Sequence, residues 1–223
     1  MSIIPDKPPF KLLDILYKKE FILFVVLVSI LIINSNISPY FLDLYNLIDS
    51  TFLFSEKAII ALTMTFVIIA RQIDLSVASI IAVSSVVLGY TTSLGYDTWL
   101  VLLLTLLSGA LCGAFNGAII TKFAIPSIIV TIGTMSLFRG LAYSFLEDSY
   151  YNKFPKLVGK LGGGYLYGYI PYAFLTFILL AFVFAFILHK TSVGKKIYSI
   201  GNNPDAAQYT GIAVDKYTFC LLY

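Results

Sequence analysis

Residues 52–92 read FLFSEKAIIALTMTFVIIA, then RQID, then LSVASIIAVSSVVLGYTT. The outer stretches are apolar runs of 19 and 18 residues, and the four residues between them include two charges. A helix needs roughly 17–25 apolar residues to cross a hydrocarbon core of about 30 Å. Each run is therefore long enough for a membrane-spanning helix. The short break leaves two arrangements open, either two full crossings joined by a tight turn or one re-entrant hairpin.

Similar apolar runs fill most of the remaining chain, which is 59% hydrophobic and only 12% charged. A soluble domain carries about 25% charged residues, so this composition excludes an ordinary soluble protein. The net charge of +3 is small and spread along the chain, which does not favour nucleic-acid binding. We expect an all-α, polytopic transmembrane helical bundle, forming a single domain over residues 1–223. It would have about six complete spans, at 21–37, 52–70, 75–92, 99–121, 127–146 and 165–188, and the start of a seventh at 217–223.

The distribution of lysine and arginine between alternate loops predicts the orientation. Cytoplasmic loops carry an excess of these residues. With a cytoplasmic N-terminus, ten of them fall on the inner side and four on the outer side, and this ratio holds for two crossings or a hairpin at 52–92. The inner ten are Lys7, Lys11, Lys18, Lys19, Arg71, Lys122, Lys190, Lys195, Lys196 and Lys216, and the outer four are Lys57, Lys153, Lys156 and Lys160.

A stripe of small residues marks the fourth predicted span. Gly109, Gly113 and Gly117 recur every four residues. Such spacing lets a neighbouring helix approach closely, which is how helices pack where lipid supplies no hydrophobic driving force. We therefore expect a helix-packing role for the three glycines. Asn116 lies beside the stripe, where an amide is either an interhelical hydrogen-bonding group or a residue of a transport pathway.

The break between the second and third spans has two interpretations. Asp74 can act as the N-cap of a helix that starts at Leu75, which would be ordinary in a cytoplasmic turn. A charged interruption between apolar runs also resembles the broken helices that line transport sites, which would place Asp74 and Ser76 at a pathway.

The fifth predicted span supplies further pathway candidates. Ser127, Thr131 and Thr134 share one helical face, and the hydroxyl groups of the two threonines would suit the passage of a neutral polyhydroxyl solute. Arg139 projects away from that face. At the bilayer centre it would cost on the order of 3 kcal/mol, so we expect it to face protein or water, or to reach towards the interface.

The loop at 189–216 is the only sizeable inner segment between spans. Asn203 suits an N-cap, Pro204 the first helical position, Asp205 the positive end of the helix dipole, and Gly211 the helix end. We expect a short cytoplasmic helix at 204–210, including Ala206 and Ala207, which acts as a docking element. The alternative is a solvated amphipathic turn.

Motifs for enzyme chemistry are missing from the sequence. His189 is the only histidine, and the two cysteines, Cys112 and Cys220, have no metal-site spacing. The sequence has no nucleotide-binding loop of the form GxxxxGK[ST], so the chain is not predicted to bind ATP by that motif. We expect no enzyme activity and no cofactor. A secondary transporter remains open, with Asp74 as its intramembrane carboxylate, as does a non-functional fragment.

Four segments resemble the ribose-type permeases of bacterial ABC importers, namely IDLSVAS (73–79), GAFNG (113–117), IPSIIVTIGT (125–134) and IGNNPDAA (200–207). The resemblance implies an inner-membrane permease that carries a monosaccharide. It further implies pairing with a second permease copy or paralogue, ATP-binding cassette subunits below, and a periplasmic sugar-binding protein above. Asn203, Pro204, Asp205, Ala206, Ala207 and Gly211 would then form the element that contacts the ATPase.

The segments at 42–61 and 133–140 look most similar to rhamnose-importer permeases, with autoinducer-2 and ribose importers as alternatives. Members of this family usually have about ten helices. The resemblance therefore leads us to expect that the chain is incomplete at its C-terminus.

Overall fold

A computed structural model of the chain describes residues 19–147 and 150–222. Lys7, Lys11 and Lys18, which enter the predicted inner-side count, and Tyr223 lie outside the described residues. The chain divides into two compact units, residues 1–50 and 51–223. In the first unit, helix α1 covers Lys19–Ile37, and the side chains of Ser29, Asn34 and Asn36 are hydrogen-bonded to its own carbonyl oxygens.

The described residues contain ten helices and one short two-stranded ribbon. After α1 these are α2 (Leu44–Ile69), α3 (Val77–Ser93), α4 (Thr98–Phe123), α5 (Ser127–Leu146), α6 (Lys156–Gly163), β1 (Tyr165–Leu166), β2 (Ile170–Pro171), α7 (Tyr172–Lys190), α8 (Ser192–Asn202), α9 (Pro204–Tyr209) and α10 (Val214–Leu222).

Four of these helices, α2, α4, α5 and α7, are long and apolar enough to cross a membrane. Two more apolar segments, Phe21–Ile37 and Val77–Ser93, are shorter. The predicted helical membrane bundle is therefore confirmed. The number of six complete spans stays a prediction.

The start of the sixth predicted span differs from the structure. It was expected at residue 165, but β1 and β2 form an antiparallel ribbon there, pairing Tyr165 with Pro171. Tyr167 and Gly168 both have positive φ, which closes the loop of the ribbon. The helix begins only at Tyr172, directly after Pro171. Apolar and aromatic content alone could not separate a ribbon from the first turns of a helix.

In the second unit α3 packs against both α4 and α5, and α4 also packs against α10. The small-residue stripe lies on α4. A Cβ atom on Gly109 would lie 3.2 Å from Ser84 Oγ of α3, and one on Gly117 would lie 2.9 Å from the ring of Phe219 in α10. Gly113, between them, is buried. The stripe therefore faces close neighbours on two different helices.

Candidate functional site

The connection between α2 and α3 is a non-helical segment of seven residues, 70–76, and is longer than the predicted four-residue break. Arg71 has a φ of 59° in the left-handed region, and its N–H donates to Ile68 O at 3.0 Å. The N–H of Gln72 donates to Val67 O at 3.0 Å. These two bonds use carbonyl oxygens that the end of α2 leaves free.

Asp74 organises the start of α3 in a way the sequence did not predict. The helix begins at Val77 and not at Leu75, and Ser76 occupies the N-cap position without making a side-chain capping bond. Asp74 Oδ1 instead accepts from the N–H of Ser76 at 2.7 Å and from Ser76 Oγ at 2.6 Å. The carboxylate therefore fixes the serine rather than the free N–H groups of the first helical turn.

The fixed serine connects the segment to α4. Asn116 Nδ2 donates to Ser76 Oγ at 2.8 Å, and both residues are fully buried. Asp74, Ser76 and Asn116 thus form a continuous buried chain of hydrogen bonds between two helices. Within the part of the chain that the structure describes, Asn116 Oδ1 is buried without a hydrogen-bond partner.

Side chains of α5 satisfy the backbone of the same segment. The N–H of Ile73 donates to Ser127 Oγ at 3.0 Å, and Thr131 Oγ1 donates to Ile73 O at 3.3 Å. Non-helical backbone inside a membrane bundle persists only where its polar groups are satisfied by protein or line a cavity. Helix α5 therefore supplies both partners that Ile73 needs.

A mostly apolar cavity of about 450 Å³ lies beside the segment. Asp74 is the charged residue among its described lining residues, and Gly109 and Gly113 form part of the wall from α4. Residues of α2, α7 and α10 complete it. Asp74 is only 8% exposed, and its carboxylate accepts hydrogen bonds from Ser76. The hydroxyl and carboxylate groups that line the cavity belong to Thr63 and Asp74, whereas Ser76 and Asn116 are fully buried and are not part of its lining.

The predicted pathway residues therefore divide into two places. Asp74, Ser76, Asn116 and Thr131 meet at the segment between α2 and α3. Thr134 is buried one turn further along α5, where its hydroxyl bonds to Thr131 O at 3.4 Å. Arg139 lies apart, in a separate cavity with residues of α3.

Among the described residues, no group of three or more acidic, cysteine or histidine side chains could hold a metal ion.

The second predicted site, α9, is closed by a specific motif at each end. Asn203 Oδ1 accepts from the N–H of Ala206 at 3.1 Å, and Pro204 occupies the first turn. At the other end the N–H of Ile212 donates to Ala207 O at 3.1 Å and that of Gly211 to Gln208 O at 2.9 Å. Gly211 has a φ of 86°, which completes a Schellman motif. The short helix is therefore fixed locally at both ends.

Helix α9 rests on α8, an element that the sequence analysis missed. Ala207 is buried in a cluster with Ile197 and Ile200 of α8 and with Ala70 at the end of α2. A Cβ on Gly201 would collide with the carbonyl oxygen of Ile69, so glycine is required where α8 crosses the end of α2. Spacing of Gly194, Ile197 and Ile200 by three residues was the available signal, since these three are the buried residues of α8.

One face of α9 stays open. Asp205, Ala206, Gln208 and Tyr209 are exposed, and Tyr209 is 92% exposed. Asp205 stands in the first turn, where a negative charge is favoured by the helix dipole. The helix thus offers a rigid, exposed surface on the same side of the bundle as the end of α2.

Comparison with known proteins gives consistent results. The family described as "Branched-chain amino acid transport system / permease component" matches residues 46–222. The autoinducer 2 import system permease protein LsrD of Klebsiella pneumoniae is 31% identical over 212 residues, which cover 91% of this chain and 62% of that protein. The ribose import permease protein RbsC of Haemophilus influenzae is 33% identical over 197 residues, which cover 86% of this chain and 61% of that protein.

A third relative, the autoinducer 2 import system permease protein LsrC of Escherichia coli, is 34% identical over 157 residues, covering 70% of this chain and 46% of that protein. The chain thus spans less than two thirds of the length of each of these curated relatives. No solved structure matches it. The apolar helices and these relatives indicate a multi-pass inner-membrane protein.

The expected resemblance to ribose-type and autoinducer-2 permeases is confirmed by these relatives. The family match runs through the segment at 70–76, the α4 stripe and the α8–α9 region. This protein is similar to ribose and autoinducer-2 import permeases, and it belongs to the family of permease components of branched-chain amino acid transport systems.

Proposed function

We propose that this chain is a permease subunit of an ATP-driven importer that moves a neutral polyhydroxyl solute across the inner membrane. The observation that carries the proposal is the non-helical segment at 70–76, which is anchored inside the bundle by Ser76 and Asn116 on one side and by Ser127 and Thr131 on the other. Interrupted helices of this kind form transport sites in membrane proteins.

The chemistry of the segment favours an uncharged solute. Its anchors are hydroxyl and amide groups, and Asp74 is held by two bonds from Ser76. In the adjoining cavity, Thr63 and Asp74 can form hydrogen bonds with a solute that has several hydroxyl groups, without making a deep binding trap. A secondary transporter would instead need an ion-coupling carboxylate, and the bonded state of Asp74 argues against it in that role.

The exposed face of α9 supports the proposal that a separate subunit hydrolyses ATP and supplies the energy for transport. We expect ATP-binding cassette subunits to contact its open face, and a second permease copy or paralogue and a periplasmic sugar-binding protein to complete the importer. The proposed orientation has the N-terminus in the cytoplasm, which places α9 with Lys190, Lys195, Lys196 and Lys216 on that side. Lys196 also packs over the ring of Tyr217 at 5.3 Å, which links α8 to α10.

The identity of the solute is the finer part of the proposal. Relatives are named for ribose and for autoinducer 2, whereas the preference for rhamnose rests on the segments at 42–61 and 133–140. Calorimetric titration of the cognate periplasmic protein with ribose, autoinducer 2 and rhamnose would decide among them. Binding of ribose or autoinducer 2 with no binding of rhamnose would eliminate the rhamnose assignment.

The role of the subunit can be tested by co-purification with its cognate ATP-binding subunit. Ala206→Trp adds bulk to the open face of α9, and Ala213→Trp makes the same change at an exposed alanine outside α9. We expect the first variant to lose the ATP-binding subunit and the second to retain it. Ala207 is unsuitable, because it is 3% exposed and a larger side chain there would disrupt the cluster beneath α9.

Equal retention by both variants would contradict docking through α9. Failure of the unmodified chain to bind any ATP-binding subunit would contradict the proposed function itself. Both variants should insert in the membrane at normal levels, because each changes a solvent-exposed side chain.

A further inference from the structure

A second cavity, of about 580 Å³, lies between α3 and α5. It is far from the segment at 70–76, since Arg139 is twelve residues, or about 18 Å of helix, beyond Ser127. Its polar lining groups are Arg139, Ser85 and the phenols of Tyr143, Tyr150 and Tyr151. No described residue that lines this cavity carries a negative charge.

Arg139, whose side chain is exposed, brings a positive charge to this cavity. Its guanidinium group makes no hydrogen bond or ion pair with the residues that the structure describes. An ionisable side chain within an apolar helix of a membrane bundle marks a functional site by default, because its charge needs a partner. The five N–H donors of a guanidinium group match the oxygens of a phosphate.

An apolar slot adjoins the cavity between the same two helices. It has a volume of about 290 Å³ and shares Val86 and Ala142 with the cavity that contains Arg139. Val83, Leu141 and Phe145 belong to its remaining wall. The cavity that contains Arg139 continues into this apolar slot, an arrangement that fits a molecule with an anionic head and a hydrocarbon tail. A free sugar would gain no binding energy from contact with the slot.

One wall of the cavity is set by a glycine on α3. A Cβ on Gly89 would lie 2.6 Å from the Cβ and ring atoms of Tyr151. The absence of a side chain at this buried position lets Tyr151 pack directly against the helix. Tyrosine is enriched at the level of lipid headgroups, where its apolar ring and polar hydroxyl are both satisfied.

We propose that the chamber around Arg139 and the adjoining slot form a phospholipid-binding site. The lipid phosphate binds the guanidinium group of Arg139, and one acyl chain occupies the slot between α3 and α5. This site is separate from the transport segment, and it would hold a structural lipid whether or not the solute has been identified correctly.

The test measures binding of phosphatidylglycerol to the full chain in non-ionic detergent by native mass spectrometry. Arg139→Gln should weaken binding of the long-chain lipid roughly tenfold or more, as expected for the loss of a charge-assisted hydrogen bond. Arg139→Lys should restore part of it. Lys57→Gln, which removes a lysine elsewhere on the predicted outer side, should leave binding unchanged.

Two further ligands distinguish the contribution of the phosphate head group to binding from that of the acyl chain. Dihexanoyl phosphatidylglycerol and inorganic phosphate should both bind more weakly than the long-chain lipid, because neither fills the slot. Equal binding of inorganic phosphate and long-chain lipid would overturn the role of the slot. Unchanged lipid binding by Arg139→Gln, in a variant whose lipid-free thermal unfolding matches the unmodified chain, would overturn the proposal as a whole.

Discussion

Substitution of Gly201 by alanine tests how α8 and α9 are attached to the bundle. The added Cβ would overlap the carbonyl oxygen of Ile69, and it would lie 2.9 Å from the carbonyl carbon. Both atoms belong to the backbone, so no side-chain rotation can relieve the contact. We expect α8 to move away from the end of α2 and to open the cluster formed by Ala70, Ile197 and Ile200, which are all 0–1% exposed.

The magnitude follows from two opposing effects. Overpacking costs typically 1–3 kcal/mol, and the upper end applies because backbone meets backbone. Alanine in place of glycine inside a helix returns roughly 0.5–1 kcal/mol. The net loss in free energy of unfolding should therefore be about 2 kcal/mol, or about 4–8 °C in melting temperature for a chain of this length.

Thermal unfolding in detergent, followed by fluorescence-detected size exclusion, would measure this loss. Gly140→Ala is the matched control, since it lies inside α5 with nothing within 4 Å of the new Cβ. It should be neutral or stabilise the protein slightly. Equal melting temperatures for Gly201→Ala and Gly140→Ala would refute the inferred contact between α8 and α2.

The same unfolding assay checks three further substitutions. Ser76→Ala should lower the free energy of unfolding by about 1–3 kcal/mol, because it leaves Asn116 Nδ2 buried without its acceptor. The double variant with Asn116→Leu should lose less than the sum of the two single variants. Additive losses would show that the two side chains do not interact. Gly211→Ala should lower the free energy of unfolding by about 1–2 kcal/mol, because residue 211 has a left-handed backbone conformation. Gly211→Asn should be better tolerated. Equal losses for the alanine and asparagine variants would contradict the motif that ends α9. Asn203→Ala should lower the free energy of unfolding by about 1 kcal/mol, whereas Asn203→Asp should leave it nearly unchanged. No loss of stability in Asn203→Ala would show that the cap is dispensable.

Local signals in the sequence were enough for α5 and α9, whereas α2 begins at Leu44, eight residues before the predicted start at residue 52. Helix α5 begins and ends at the predicted residues, because Pro126 precedes it and its run, in which Arg139 is the one charged residue, ends before Glu147. The caps of α9 use residues from Asn203 to Ile212, so their chemistry can be interpreted without knowledge of the fold. The ribbon at 165–171 was missed because its tyrosines and apolar residues also suit the start of a membrane span.

The candidate site could be predicted only in parts. Asp74 and Asn116 were singled out separately, but the bond from Asn116 to Ser76 joins residues 40 positions apart. Ser127 was grouped with Thr131 and Thr134 on one helical face, but the bond that its hydroxyl accepts from the N–H of Ile73, 54 positions away, was not predicted. Pairings of this length depend on how α3, α4 and α5 pack, which one sequence does not show.

Helix α8 illustrates the same limit at the surface of the bundle. Its residues are polar enough to suit a solvated loop, and only Gly194, Ile197 and Ile200 are buried. The burial of Ile197 and Ile200 depends on contact with the end of α2, which lies more than a hundred residues earlier in the chain. Tertiary packing therefore decides the structure of this segment.

Site-specific photo-crosslinking from position 206 tests the central claim most directly. A photoreactive amino acid in place of Ala206 would lie on the open face of α9, and the same amino acid in place of Ala213 would serve as the control. Photo-crosslinking does not react through thiols, so the native Cys112 and Cys220 can stay in place. With the cognate ATP-binding subunit present, we predict a cross-linked product of the combined mass from position 206 and none from position 213. No product from position 206, or equal yields from both positions, would contradict an ATP-driven permease that couples through α9.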